Sequence, residues 1–367
     1  MKDKAGSTIT SKQLIFIIVG SQLGIRILFL PREISKVAGE DAWLCVLIAT
    51  IAPIIAIYII DRLGKRMPDM GYTQMSQALF GKFFGSLLVV IFIGYIIGFE
   101  SLIVRIFSEV TKLYLLPKTP LPVVLFMYVF TVVYVGNKGL RVIGRLNELL
   151  FYLILANFLV LLIPVGQGDY TNLLPAGVSG WDGMAMGSLK AVYYYAGFEI
   201  LLVLYSLVNR KDEILKAGMI ATAITTGLYI TIVVICELVF GVTGMQEQLF
   251  PALILLKVVQ IPVVERLEFI FLFFWLGMGA RSAINSGFAA ALSLTQLLHV
   301  DEKKYLLYLL IFIGLAIYIV ALLPENLIAV FKLSTYAGYG FYVVGIAYPI
   351  IYYIMALARG EKVEQSA

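Results

Sequence analysis

Long apolar stretches separated by short polar segments dominate this chain of 367 residues. A helix needs about 20 mostly apolar residues to cross the roughly 30 Å of hydrocarbon in a bilayer. Ten stretches meet this requirement, which predicts an all-α membrane protein with about ten transmembrane helices in a single transmembrane domain, residues 1–367. Predicted spans 1 to 10 lie at about 12–31, 42–60, 83–111, 121–136, 146–164, 184–208, 214–241, 264–297, 304–323 and 333–357.

The composition agrees with a lipid environment and excludes several functions. Hydrophobic residues make up 61% of the chain and charged residues 14%, with a mean hydropathy of +0.94. The net charge of +5 includes no dense basic run, so we expect no nucleic-acid partner. Cys45 and Cys236 are far apart and His299 is the single histidine, which argues against a metal site. Without a phosphate loop or a catalytic triad, we expect neither an enzyme nor a cofactor.

The distribution of Lys and Arg predicts the orientation of the chain. Basic residues are enriched in cytoplasmic loops. A cytoplasmic N-terminus places most basic loop residues inside the cell, so we predict a multi-pass protein of the cell membrane with both termini in the cytoplasm. Charges within spans are costly and usually functional. Beyond the first three residues of each predicted span, the basic residues within the spans are Arg26, Arg105, Lys190 and Arg281.

Glycines interrupt spans 1 and 6 near mid-depth, at Gly20 to Gly24 and at Gly197. Broken helices at matching positions of two halves indicate an inverted-repeat transporter fold with a ligand site between them. We therefore predict a LeuT-like, five-plus-five inverted repeat with pseudo-repeats at about 12–164 and 184–357. The alternative for Gly20 and Gly24 is that they only permit close helix packing.

A helix break exposes backbone N–H and C=O groups, which in lipid require a ligand, an ion or buried water. A half-helix N-terminus stabilises a carboxylate, and unwound carbonyls accept from an ammonium group. This combination suits a zwitterionic amino acid, although a nucleoside or a sugar could use the same groups. The candidate ligand-binding residues are Gln22, Gly24, Ile25, Arg26, Tyr95, Gly98, Phe99, Tyr195, Ala196, Gly197, Phe198, Glu199, Arg281 and Ser282.

Charged candidates also have structural interpretations. Glu199 is either an amino-group partner of the ligand, or a gate, or a structural partner of a buried basic residue. Arg105 and Glu109 lie four residues apart on one helix face, and we predict a structural salt bridge between them. Arg281 follows small residues in span 8 and faces a carboxylate, a water-filled cavity or an anionic ligand.

Separated motifs in order along the chain resemble the spore germination permease family, the B subunits of germinant receptors within the amino acid, polyamine and organocation permease superfamily. The resemblance covers essentially the whole chain. It rests on Leu23-Gly24, Ile27-Leu28, Leu30-Pro31-Arg32, Gly94-Tyr95, Gly98, Arg105, Glu109, Leu115-Leu116, Thr119-Pro120, Gly197, Glu199, Glu265-Arg266, Glu268, Trp275, Tyr336 and Gly338-Tyr339.

The resemblance implies a sensor of a small-molecule germinant, often an amino acid, in the spore inner membrane. It also implies two partners, an A-type membrane subunit and a C-type lipoprotein. The alternative is a proton- or sodium-coupled amino acid permease, since fold does not decide function. Arg26 and Arg281 depart from the small residues that similar sequences have. They suggest an anionic germinant, or a latch in which Arg26 pairs with Glu199.

Overall fold

The computed structural model describes residues 8–175, 177–258 and 267–359, without the side chains of residues 267–270, 277 and 278. In these ranges the chain is helical, and its only β-structure is an isolated bridge between Ile9 and Val208. The α-helices are α1 (Ser11–Gln22), α2 (Leu30–Ala38), α3 (Ala42–Ala49), α4 (Ile51–Arg66), α5 (Tyr72–Phe80), α6 (Lys82–Tyr114), α7 (Leu121–Gly136), α8 (Leu140–Val160), α9 (Gly180–Val192), α10 (Leu201–Leu204), α11 (Ile214–Glu247), α12 (Pro251–Val258), α13 (Leu267–Gly279), α14 (Arg281–Leu297), α15 (Glu302–Leu322), α16 (Leu327–Phe341) and α17 (Tyr348–Arg359).

Span 1 is broken in the middle, as the sequence predicts. Thr10 and Gln13 form a capping box that starts α1, which ends at Gln22. Leu23 and Gly24 are extended, and a 3₁₀-helix over Ile25–Leu28 leads into α2. The break therefore lies at Leu23 and Gly24, and Gly20 is inside α1.

Span 6 is broken at Ala196 and Gly197. After α9, a 3₁₀-helix over Tyr193–Tyr195 stops at Ala196, whose ψ is 140°. Gly197 has a φ of +125°, which side-chain-bearing residues rarely adopt. The chain resumes as a 3₁₀-helix over Phe198–Ile200 followed by α10, and the two halves of the span are bent by 50°. The prediction of broken helices 1 and 6 is confirmed.

Among the described residues, fewer helices are long enough to cross a membrane than the ten that the sequence predicts. Within the described residues, six helical runs are long and apolar enough to cross a membrane, or seven if the bent pair of span 6 is included. The difference has a physical cause: α1 and α7 have only 12 and 16 residues, and α13 and α14 are separated at Ala280. The six runs are Leu30–Arg66, Lys82–Tyr114, Leu140–Gln167, Lys211–Glu247, Glu302–Leu322 and Leu327–Arg359.

Span 1 lies at the centre of the helix bundle. Its first half, α1, packs against α8, α11 and α14, and its second half, α2, packs against α9 and α11. The segment before α1 is held to the end of span 6, because the Ile9 N–H donates to Leu207 O (3.0 Å) and the Asn209 N–H donates to Ile9 O (2.9 Å). Both halves of span 1 therefore pack against α11, and the start of span 1 is hydrogen-bonded to the end of span 6.

A buried carboxylate fixes the loop that leads into span 6. Asp41 is fully buried and accepts hydrogen bonds from the Gly177 N–H (2.6 Å), the Ser179 N–H (2.8 Å) and Ser179 Oγ (2.7 Å). These donors immediately precede α9. Asp41 therefore connects the turn between α2 and α3 to the start of span 6.

Replacing Asp41 with alanine should destabilise the protein by about 2 kcal/mol or more, because buried donors would lose a charged acceptor. The measurement is the midpoint of thermal unfolding in detergent or lipid nanodiscs. Asp182→Ala is the control, because this carboxylate is exposed in the first turn of α9. Equal midpoints for the two variants would contradict the assignment.

Candidate ligand site at the helix breaks

The two helix breaks lie against each other. A Cβ added to Gly197 would be 2.7 Å from the carbonyl carbon of Ser21, so the two backbones are in direct contact. Gln22 Nε2 donates to Tyr195 O (3.2 Å), and Thr225 Oγ1 donates to Gln22 Oε1 (2.6 Å). Since Gln22 is fully buried, its amide connects span 1 to spans 6 and 7 in the interior.

Tyr229 of α11 bridges the two breaks. Its hydroxyl lies 2.7 Å from Gln22 O and 2.9 Å from Tyr194 O, two carbonyl oxygens at the ends of helical segments. Carbonyls at a helix end lack intrahelical partners and need donors from elsewhere. One tyrosine therefore stabilises both broken spans, a role that the sequence did not indicate.

Arg26 lies at the beginning of the second half of span 1 and contacts the break of span 6. Its Nη1 donates to Tyr193 O (2.7 Å) and its Nη2 to Ala196 O (2.8 Å). The guanidinium carbon is 5.0 Å from the ring centroid of Phe99 and 5.3 Å from that of Tyr193. The side chain is 1% exposed, and two carbonyls and two aromatic rings surround the cation.

Glu199 caps the second half of span 6. Its Oε2 accepts from the Gly197 N–H (2.6 Å), and its Oε1 accepts from the Tyr95 hydroxyl (2.9 Å). The latch hypothesis required Arg26 to pair with Glu199. Arg26 instead donates to backbone carbonyls and Glu199 accepts from Gly197 and Tyr95, so the two groups stabilise opposite sides of one break.

Arg281 binds the break of span 1. At 2% exposure, its Nη2 donates to Leu23 O (3.2 Å). The neighbouring Ser282 Oγ donates to Glu100 Oε1 (2.8 Å) in α6. The first residues of α14 therefore connect the break to span 3 through buried polar groups.

An amide cluster supports α1 just before the break. Asn285 Nδ2 lies 2.9 Å from Ser21 Oγ, and Asn147 Nδ2 donates to Asn285 Oδ1 (2.8 Å). A Cβ on Gly20 would be 2.1 Å from Asn147 Oδ1. Gly20 therefore permits close packing, whereas Gly24 belongs to the break. The two asparagines, Glu100 and Tyr229 were missed at the sequence level, although each is a polar side chain in an apolar stretch.

The surroundings of Gly24 include free space. The residue is buried, yet an added Cβ would meet no atom within 4 Å. Protein interiors are normally close-packed. A buried backbone position that faces open space, beside two unwound helices, is a suitable place for a small ligand.

A cavity of about 740 Å³, here called the vestibule, lies next to the breaks. Tyr193 and Tyr194 line it, and Tyr193 also supplies a ring and a carbonyl oxygen to Arg26. The vestibule therefore ends at the layer that Arg26 and Tyr193 form. Residues from α2, α9 and α16 line the rest, including the charged residues Arg32, Glu33, Lys36, Lys190 and Lys332.

The sequence candidates occupy four kinds of position, one of which is the open space beside Gly24. Most belong to the hydrogen-bonded network at the breaks. Ile25 and Phe198 are fully buried apolar residues, and Phe198 packs against Phe341 with ring centroids 5.9 Å apart. Gly98 lies with Tyr95 and Phe99 on an apolar groove of about 480 Å³ between α6 and α16. The network contains Gln22, Arg26, Tyr95, Tyr195, Ala196, Gly197, Glu199, Arg281 and Ser282.

The structure bears directly on the salt bridge predicted in span 3. The predicted salt bridge in span 3 is confirmed, since Arg105 Nη2 is 2.9 Å from Glu109 Oε1. The motif residues Glu265 and Arg266 lie outside the described residues.

Comparison with known proteins identifies the family. A family model described as spore germination protein matches residues 8–330. The chain belongs to the spore germination protein family. This membership confirms the resemblance found in the sequence and describes a permease-like membrane protein rather than an enzyme.

Three relatives of this spore germination protein match almost their whole length. It is 28% identical to spore germination protein YndE of Bacillus subtilis (strain 168), over 97% of this chain and 99% of the relative. Identity is 24% to spore germination protein B2 of the same strain, over 93% of each chain. It is also 24% to spore germination protein GerQB of Bacillus cereus, over 92% of this chain and 93% of the relative.

Solved transporter structures share the fold. A substrate-bound Na⁺-coupled sialic acid symporter gives a TM-score of 0.70 at 12% identity, over 94% of this chain and 80% of the symporter. MhsT in complex with L-phenylalanine gives 0.64 at 13% identity, over 94% of each chain. The spore germination protein is thus a multi-pass, all-α membrane protein with the LeuT-like fold.

Proposed function

We propose that this chain is the nutrient-sensing integral membrane subunit of a spore germinant receptor, and that it binds a small amino-acid-like germinant at the breaks of spans 1 and 6. It acts in the spore inner membrane with both termini in the cytoplasm. Its partners are an A-type membrane subunit and a C-type lipoprotein. The family membership supports the role in germination, and the geometry of the breaks supports the site.

The open space at Gly24 is the observation on which the proposed site depends. It combines free volume with unwound backbone, as a small polar ligand requires. The vestibule gives a route of approach, and Tyr193, which lines it, forms with Arg26 a layer at the break of span 6. We infer that germinant binding displaces this layer and shifts the chain toward a second conformation that the partner subunits detect.

The charge of the vestibule favours a ligand with a carboxylate. Four basic side chains line it, and Glu33 is the acidic residue among its lining residues. Glu33 contacts Lys190 at 2.9 Å, Arg32 at 3.1 Å and Lys36 at 3.3 Å. The net positive charge attracts anionic groups into the cavity.

The second candidate function is that of a coupled amino acid permease. The transporter fold favours it, because the same site could serve transport or sensing. The two functions differ in turnover: a sensor binds its ligand without moving it, whereas a permease accumulates it.

Reconstituted protein distinguishes the two functions. Liposomes containing the purified chain would be tested with a panel of labelled amino acids, with and without proton or sodium gradients. We expect saturable binding without accumulation. Gly24→Trp should abolish binding because the indole would fill the open space at the break.

Gly227→Trp is the matched control for this experiment. An added Cβ at Gly227 also meets no atom within 4 Å, but this glycine is exposed on α11. The control should therefore bind the ligand like the unmodified protein. Accumulation driven by a gradient and blocked by Gly24→Trp would make the protein a permease, and binding that Gly24→Trp leaves intact would remove the site from the breaks.

A further inference from the structure

The ends of the two half-helices that precede the breaks direct carbonyl oxygens into the protein interior. These are the end of α1, at Gln22 and Leu23, and the end of the first half of span 6, at Tyr193 to Ala196. A helix C-terminus carries partial negative charge, and unwound carbonyls in a membrane protein are suitable ligands for cations. Each break therefore has the chemistry of an internal cation site.

The guanidinium group of Arg26 occupies the carbonyl end of the first half of span 6. Arg26 makes two short hydrogen bonds to the terminal carbonyls and lies close to two aromatic rings. Carbonyl oxygens with aromatic faces form a favourable environment for an organic cation. The aromatic rings leave this position better suited to a planar guanidinium than to a bare metal ion.

The guanidinium group of Arg281 occupies the carbonyl end of the first half of span 1. Arg281 reaches from the first residue of α14 to Leu23 O, the carbonyl that follows the last residue of α1. Its buried side chain brings a fixed positive charge to the end of the half-helix. No ion from solution is needed to satisfy this carbonyl.

Two buried acidic residues lie near the guanidinium group of Arg26. Glu100 and Glu199 are 1% and 3% exposed, and both interact electrostatically with Arg26. Two arginines and two glutamates therefore share this interior region. Removing Arg26 would leave an excess negative charge near carbonyl oxygens that have lost a donor, and removing Arg281 would take the donor from Leu23 O; both changes create an environment that attracts a small cation.

We propose that the carbonyl ends of the two broken helices are internal cation sites, filled by Arg281 in span 1 and by Arg26 in span 6. The folded state and the ligand site consequently require no free metal cation. This inference is independent of the proposed germinant, because it concerns only the chain and the ions around it.

The test is the thermal unfolding midpoint, Tm, of the full-length protein in lipid nanodiscs. Replacing sodium chloride with N-methylglucamine chloride at equal ionic strength should change the Tm of the unmodified protein by less than about 1 °C. Arg26→Ala and Arg281→Ala should each lower it by about 5 °C or more. Methylguanidinium at millimolar concentration should restore about half of each loss, since it replaces the missing group.

Three controls keep the test decisive. Ile284→Ala removes a buried apolar side chain one turn after Arg281, and methylguanidinium should not restore its Tm. Arg26→Lys and Arg281→Lys retain a cation and should unfold nearer to the unmodified protein. If the alanine variants do not fold, the lysine variants and the sodium comparison still decide. Stabilisation of the unmodified protein by sodium, or equal rescue of Ile284→Ala, would overturn the proposal.

Discussion

Gly197→Ala should yield little or no folded protein. The φ of +125° strains any residue with a side chain, and the added Cβ would lie 2.7 to 2.8 Å from main-chain and side-chain atoms of Ser21. The backbone of span 1 cannot move away, because Gln22 is hydrogen-bonded to spans 6 and 7. We expect a loss of about 4 kcal/mol or more. Size-exclusion chromatography of the solubilised protein would measure the folded fraction.

Gly24→Ala is the matched control at the other break. Its backbone is extended, with a φ of −128°, and its added Cβ meets open space. This variant should fold normally, with an effect below about 1 kcal/mol. A normal yield of Gly197→Ala, or equal losses for both variants, would show that the contact between the two breaks is not required.

Glu199→Ala should destabilise the protein by about 3–5 kcal/mol, because it leaves a buried charge uncompensated and buried donors unpaired. The donors are the Gly197 N–H and the Tyr95 hydroxyl, and Arg26 would lose a nearby negative charge. In spores, the response to nutrients should be lost with the folded protein. The measurements are the Tm of the purified variant and the loss of optical density of spore suspensions that carry it.

Two milder variants divide this effect into parts. Tyr95→Phe removes only one hydrogen bond to Glu199 and should cost about 1 kcal/mol. Glu199→Gln keeps an acceptor but loses the charge, so its effect should lie between those of the other two. The opposite order, with Tyr95→Phe the most damaging, would indicate that the carboxylate does not stabilise the break.

The sequence was sufficient to predict the membrane class, the family and the breaks. Glycine in mid-span is a local signal, because it marks positions where a helix can open. It did not distinguish Gly20 from Gly24, since that difference depends on Asn147, which is far away in sequence. The sequence also predicted about ten spans, whereas six or seven helical runs of the described residues are long and apolar enough to cross a membrane. Apolar composition alone does not show where a helix is short or broken.

The partners of the buried charges could not be predicted from spacing. Arg105 and Glu109 were predictable because four residues along a helix place both on one face. Arg26, in contrast, contacts carbonyls more than 160 residues away, and backbone acceptors are present at every position of a sequence. Sequence patterns therefore identified Arg26, Arg281 and Glu199 as charges within spans, and only the structure shows which groups they contact. The division into pseudo-repeats remains a prediction.

The bridge between Ile9 and Val208 has a mechanical consequence. It joins the start of α1 to the end of span 6, so the halves of both spans on that side are tied at one point, and Ser11 Oγ adds a hydrogen bond to Glu213. The two segments would therefore move together. One displacement of this junction would therefore reposition spans 1 and 6 together.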